Sequence, residues 1–183
     1  MINFLNSINR ADEYINNLLF ISRDTFLVKI FTGITWLGEI PTIIILILAT
    51  SVILYLSNKK WQIIGLWGAV AGSAGTTLLA KIFFDRLRPL NGLISETSAS
   101  FPSGHATVAV AFYGFITYLL LKKIHNKINR VLAALLGSII IIAIGFSRLY
   151  LGVHYATDVL AGYLIGSLWL LIGIKLNKEF FTT

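Results

Sequence analysis

No cysteine occurs among the 183 residues. That excludes a disulfide framework, a thiolate metal site and a cysteine nucleophile. Charge is also scarce. Only 13% of residues are Asp, Glu, Lys or Arg, against about 25% in an ordinary soluble domain, while 56% are apolar. With a positive mean hydropathy, this composition belongs to an integral membrane protein rather than a water-soluble globule. Acidic residues are the rarer sign, 8 against 15 Lys and Arg, for a formal net charge of +7. Such an excess suits nucleic acid or anionic lipid in general. In a membrane chain the position of each charge decides its meaning, and no nucleic-acid partner is expected. A cleavable leader is not expected either, because Arg10, Asp12 and Glu13 interrupt the place where its apolar run would lie.

What the chain does have is long stretches without charge. A helical span needs about 20 mostly apolar residues. Five runs approach that length: Ile40–Leu56, Trp61–Ala80, Ser103–Leu121, Val131–Ser147 and Val159–Ile174. The expected fold is all-α, a polytopic membrane helix bundle of these five spans, with its core over residues 39–183. Residues 1–38 read differently. Phe4, Leu5, Ile8, Tyr14, Ile15, Leu18 and Leu19 recur at helical spacing between Asn, Arg, Asp and Glu. That pattern suits an amphipathic segment lying on the membrane surface. Phe20–Leu37 is apolar enough for a poor further span, but Arg23, Asp24 and Lys29 count against it.

Lys and Arg in short loops set the orientation. Lys59, Lys60, Lys122, Lys123, Lys127, Arg130, Lys175 and Lys178 would share one side and look like plain cytoplasmic anchoring, with His125 solvated among them. The opposite side carries Lys81, Arg86, Arg88 and Arg148 mixed with Asp85, Glu96, Asp158, His105 and His154. Anchoring does not require that mixture, so this cluster is expected on the extracytoplasmic face of the cytoplasmic membrane. Trp61 beside Lys60 reads as an interfacial anchor. Gly65, Gly68, Gly72 and Gly75 form one small-residue face and Gly162 and Gly166 another, which predicts close helix packing within one chain rather than a dimer face.

Three polar stretches fall at one membrane edge. In KIFFDRLRP, Lys81, Asp85 and Arg88 lie at i, i+4 and i+7, which predicts one helix face, with Pro89 ending the helix. In FPSGH, Pro102 and Ser103 read as a helix start with Ser103 as cap, and the N–H of Gly104 would point at the same edge beside His105. A helix start of that kind favours an anion. In SRLYLGVHYATD, Arg148 ends a span, Gly152 permits a turn, and His154 is expected to begin the fifth span with Asp158 one helical turn further on, on the same face. A carboxylate there fixes the His tautomer and leaves the other ring nitrogen as nucleophile or base. Charge at membrane depth costs about 2.5–3.5 kcal/mol per residue at a span centre. Three cations and a helix N-terminus gathered at one level therefore suggest a bound oxyanion, with phosphate the natural candidate. Two histidines can divide attack at phosphorus from protonation of the departing oxygen.

Together K-x(6)-R-P (Lys81 to Pro89), P-S-G-H (Pro102 to His105) and S-R-x(5)-H-x(3)-D (Ser147 to Asp158) resemble the tripartite signature of the type 2 phosphatidic acid phosphatase family. That family shares its core with vanadium haloperoxidases and glucose-6-phosphatase. The resemblance implies a membrane lipid phosphatase that works through a phosphohistidine, with no metal ion and no other cofactor. It implies His154 as nucleophile, Asp158 as its orienting carboxylate and His105 as general acid and base. Lys81, Arg88, Ser103, Gly104 and Arg148 would bind the phosphate, and Arg86, outside the strict signature, is a candidate contact for a head group or second phosphate. The implied substrates are undecaprenyl pyrophosphate, phosphatidylglycerophosphate, phosphatidic acid or lipid A 1-phosphate. Many family members have an additional N-terminal span, and residues 1–38 stand in its place. Two other readings carry less. A vanadate-holding haloperoxidase is opposed by the apolar spans, and a non-catalytic lipid-phosphate binding or transport protein has no use for the His–Asp pair.

Overall fold

The structure is a computed structural model that describes residues 2–179. The side chains of Phe4, Leu5, Ile8 and Lys178, used in the sequence reading, lie outside the described residues. Seven α-helices follow in order: α1 (Ile2–Ile21), α2 (Thr25–Thr35), α3 (Ile40–Leu56), α4 (Lys60–Phe84), α5 (Gly104–Lys123), α6 (Lys127–Tyr150) and α7 (Ala156–Glu179). A single 3-10 turn, Trp36–Gly38, joins α2 to α3. The last four helices are each long and apolar enough to cross a membrane, and the bent pair Thr25–Gly38 and Ile40–Leu56 passes the same test as one path. The chain is thus a multi-pass membrane protein. These helices outrun the charge-free runs because Lys60, Lys122, Lys123 and Lys127 keep their heads in water while their stems follow the helix.

The N-terminal region departs from a single surface segment. It breaks at residues 22–24, where the Asp24 side chain accepts hydrogen bonds from Phe26 N (2.8 Å) and Leu27 N (3.2 Å) and starts a new helix. The path then bends by 47° into α3. Within α1 the burial pattern is inverted relative to a soluble helix. Tyr14, Leu18 and Phe20 are exposed, whereas Asp12 is 2% exposed. Apolar side chains facing outward suit a lipid contact.

Packing centres on α4, α5 and α7. Lipid tails are as apolar as leucine, so close approach and small residues hold such helices together rather than hydrophobic burial. A Cβ on Gly65 would lie 2.7 Å from Gly173 O, and one on Gly162 would lie 2.7 Å from Ser103 O. Gly166 faces Thr107 and Val110, and Gly72 lies against the Trp169 ring. These glycines serve packing within the chain, whereas Gly75 has nothing nearby. The Gly162 contact matters for function, since it sets α7 against the start of α5. Outward leucines on α6 and α7, such as Leu135, Leu136, Leu164 and Leu168, are exposed and face the bilayer.

Candidate active site

At one end of the bundle the end of α4, the start of α5, the end of α6 and the start of α7 converge, with the loop 85–103 folded over them. α4 stops at Phe84, and Asp85 adopts a left-handed conformation (φ 37°, ψ 42°). Arg88 is therefore in the loop and not on a continuing helix face with Lys81, as the i, i+4, i+7 spacing suggested. The fold-back still returns it to the cluster. Its guanidinium donates to Ser98 O (2.8 Å), Val153 O (2.8 Å) and Ser98 Oγ (3.2 Å). Lys81 Nζ donates to Ala99 O. Both cations are thus aimed by backbone carbonyls before any anion arrives, the kind of preorganisation that strengthens an oxyanion site.

Gly152 makes its turn at φ +70°, and a Cβ there would meet Arg23 Nη2 and Asn91 O. His154 consequently precedes α7 rather than sitting on it, so it is not stacked one helical turn below Asp158. Asp158 is instead the third residue of α7, and its Oδ2 accepts the N–H of Tyr155 (2.9 Å), closing the helix start as a capping carboxylate does. Ser100 Oγ donates to the same oxygen, and Arg86 Nη1 donates to Oδ1 at 2.6 Å. His154 Nδ1 lies 3.5 Å from Oδ2, a charge contact longer than a good hydrogen bond. Its Nε2 is 3.3 Å from Arg88 Nη1. A guanidinium only donates, so the partners assign the proton to Nδ1 and the lone pair to Nε2. Burial pushes the His154 imidazole down to about 4 against the pull of Asp158, and Arg88 and Arg148 push the same way.

His105 stands in the first turn of α5, its Nε2 3.2 Å from Glu39 Oε1, just before α3. A Cβ on Gly38 would lie 2.9 Å from His105 Cδ2, so this glycine makes room for the ring. Ser103 occupies the N-cap position, but its side chain makes no capping bond; Oγ is buried without a hydrogen-bond partner. The free N–H groups of the first turn of α5 are the orphans of any helix start. Gly104, His105, His154, Lys81 and Arg88 all line one cavity of about 390 Å³.

Arg148 is fully buried and, like Arg86, is not among the residues that line the cavity. It donates to Thr35 Oγ1 (2.8 Å) and to Glu96 Oε1, and Glu96 Oε2 lies 3.6 Å from Arg88 Nη2. An acid therefore bridges two of the expected phosphate ligands. Arg86 is committed elsewhere, to Asp158, Thr157 and Asp12, and is absent from the cavity wall. The structure thus gives no support to a head-group contact by Arg86. Sequence reasoning missed Gly38, Glu39, Ser100 and Thr35, and noted Glu96 only as one of a polar cluster. Among the described residues no group of three or more His, Asp and Glu side chains is arranged to hold a metal ion.

The PAP2 superfamily model matches residues 42–181. Phosphatidylglycerophosphatase B of Bacillus subtilis (strain 168) is 34% identical over 171 residues, covering 89% of this chain and 81% of that protein. An undecaprenyl-diphosphatase of Sulfolobus acidocaldarius is 34% identical over 96 residues, 49% of this chain and 42% of its own length. The crystal structure of a transmembrane PAP2 type phosphatidylglycerolphosphate phosphatase from Bacillus subtilis superposes with a TM-score of 0.88 at 30% identity, covering 95% of this chain and 88% of that one. The match thus spans the convergent helix ends as well as the bundle, and the chain belongs to the PAP2 superfamily as a membrane lipid phosphatase.

Proposed function

We propose that the chain hydrolyses a phosphomonoester on a membrane lipid, phosphatidylglycerophosphate first, through a phosphohistidine at the extracytoplasmic face. The observation that carries this is that His154 lines the same cavity as Lys81, Arg88, His105 and Gly104 at the start of α5. In the first step Nε2 attacks phosphorus, the bond to the lipid oxygen breaks, and His105 gives that oxygen a proton. In the second, a water deprotonated by His105 attacks the phosphohistidine and frees inorganic phosphate. Lys81, Arg88, Arg148 and the Gly104 N–H stabilise the charge that develops on the nonbridging oxygens. Ser103 Oγ is a further donor for this group.

The same cavity is also lined by the apolar Ile40, Ala74, Leu78 and Val108, of which Ile40 on α3 and Leu78 on α4 are exposed. Lipid tails can then stay in the membrane while the head group enters. Lys81 and Arg88 are the cavity's lining cations among the described residues. With Arg86 held by two carboxylates, a second phosphate finds no additional cation, which favours a monoester over a pyrophosphate. The lysine-rich opposite end supports the outward orientation of the site. Phosphate release from phosphatidylglycerophosphate, phosphatidic acid, undecaprenyl pyrophosphate and lipid A 1-phosphate, compared by kcat/KM in detergent with EDTA present, tests the proposal. Phosphatidylglycerophosphate should rank first. A dominant pyrophosphate activity would reverse the monoester reading, and a requirement for added divalent metal would remove the histidine route.

Two further results are expected. The His154 value lies below the ordinary 6.5, so the ring stays neutral and nucleophilic until the pH falls to about 4. Once the substrate's own ionisation near about pH 6 is divided out, kcat/KM should hold from neutral pH down to that region and fall below it. A limb left near the ordinary histidine value would contradict the buried, arginine-flanked setting. Glu96 gives the second result. A phosphate must compete with its carboxylate for Arg88 and Arg148. Glu96→Gln should therefore tighten inhibition by vanadate and inorganic phosphate by about fivefold or more. Weaker inhibition would mean that Glu96 only holds the arginines in place.

A further inference from the structure

We infer that Asp12 of α1 and Arg86 of the 85–103 loop are positioning residues for the phosphatase reaction, acting on His154 through Asp158. The inference rests on His154 being the nucleophile. Asp12 is a buried acid on a helix whose apolar side chains point outward. Its Oδ1 accepts the N–H of Thr157 at 3.0 Å. Its Oδ2 accepts from Thr157 Oγ1 and, at 2.8 Å, from Arg86 Nη2. The other Arg86 amine reaches Asp158 Oδ1 at 2.6 Å and Thr157 Oγ1 at 2.8 Å, and the guanidinium lies 4.3 Å from the Tyr155 ring centroid. The result is a carboxylate, guanidinium, carboxylate and imidazole in series, running from α1 to the cavity.

Holding α1 against the bundle does not require this arrangement. Apolar contacts would do so without removing charges from water, and a buried ion pair often stabilises no more than a hydrophobic replacement. What the series does achieve is a fixed carboxylate. Arg86 holds one oxygen of Asp158, while Ser100 and the Tyr155 N–H hold the other. Asp158 therefore cannot turn away from His154 Nδ1. The alternating charges also set how strongly Asp158 favours a protonated His154. Without Arg86 the Asp158 charge acts on the ring undiminished. Without the Asp12 charge, Arg86 offsets Asp158 more fully. Lys81 of α4, Arg88 and Glu96 of the loop, His105 of α5 and Arg148 of α6 also face the site, and Glu13 acts on Tyr155. All of these stay unchanged in the variants below.

The test is phosphate release from phosphatidylglycerophosphate in detergent micelles, with full pH profiles for the intact chain carrying Asp12→Asn, Arg86→Met or Arg86→Lys, and His154→Ala as control. The first two should lose on the order of 10–100-fold in kcat, as small misplacements of reacting groups do, with little change in KM. Their acid limbs should move in opposite directions, upward for Arg86→Met and downward for Asp12→Asn. Arg86→Lys keeps the charge but not the fork, so its kcat should fall with the limb in place. General loosening of the fold would not shift two limbs in opposite senses. Limbs that move together or not at all, or losses confined to KM, overturn the inference. If Asp12→Asn does not fold in detergent, the Arg86→Met and Arg86→Lys pair decides alone. Turnover that survives in His154→Ala would instead remove the nucleophile assignment on which the inference stands.

Discussion

His154→Ala is expected to lower kcat by on the order of 10⁴-fold or more while lipid-phosphate binding changes little, as when a covalent nucleophile is removed from an otherwise intact oxyanion site. The side chain is 2% exposed. It makes few contacts that hold the fold together: Nδ1 has no close hydrogen bond, and Nε2 has only the 3.3 Å approach of Arg88. The cations proposed to bind phosphate keep their own supports, Arg88 on Ser98 and Val153 carbonyls and Lys81 on Ala99. Loss of the ring would therefore remove the proposed bond-forming atom and leave the pocket. Steady-state release together with equilibrium binding of a fluorescent lipid phosphate separates the two. Equal loss of binding and turnover would mean that His154 is a ligand and not a nucleophile.

Arg148→Met should cost about 10²–10³-fold in kcat/KM, the range seen when one donor to a developing oxyanion is deleted. It should also destabilise the protein by about 3 kcal/mol or more, because breaking a buried charge pair leaves the partner uncompensated. Arg148 is wholly buried, tied to Thr35 at 2.8 Å and to Glu96. Without it, Glu96 keeps the 3.6 Å pairing with Arg88, and α2 loses the Thr35–Arg148 tie to α6. Arg148→Lys should regain part of the stability and less of the activity, since an ammonium cannot serve Thr35 and an anion in one fork. Thermal unfolding in detergent and kcat/KM well below the transition distinguish the effects. A Met variant that melts early yet turns over normally in the cold would confine Arg148 to structure.

The spans were legible because each core helix contains a long run without charge, and the bilayer leaves few alternatives for such a run. The N-terminal path was less so. Its break depends on Asp24 capping α2, and its bend depends on how Gly38 and Glu39 fit against His105, which is a tertiary fact. The signature residues were legible as a set, since they recur at helix ends that face one side. Their partners were harder to read. Ser100 and Thr35 carry no signal of their own in the chain. Asp12 did carry one. It falls four residues after Ile8 and three before Ile15, on the apolar stripe itself, where a surface helix has no reason to place an acid. Arg86 was open to a head-group contact on sequence alone, because its position beside the signature says nothing of which way its fork turns. The i, i+4 spacing of His154 and Asp158 suggested a helical pair, yet α6 ends at Tyr150, Gly152 turns the chain and α7 begins only at Ala156, so the contact forms across a turn.

The stereochemical course at phosphorus, followed with a phosphorothioate of the preferred lipid made chiral by two oxygen isotopes and hydrolysed in water carrying the third, tests the central claim most directly. Two in-line displacements, first by His154 and then by water, give net retention of configuration. Inversion would mean that water attacks the lipid phosphate in one step, and His154 would then have no covalent role.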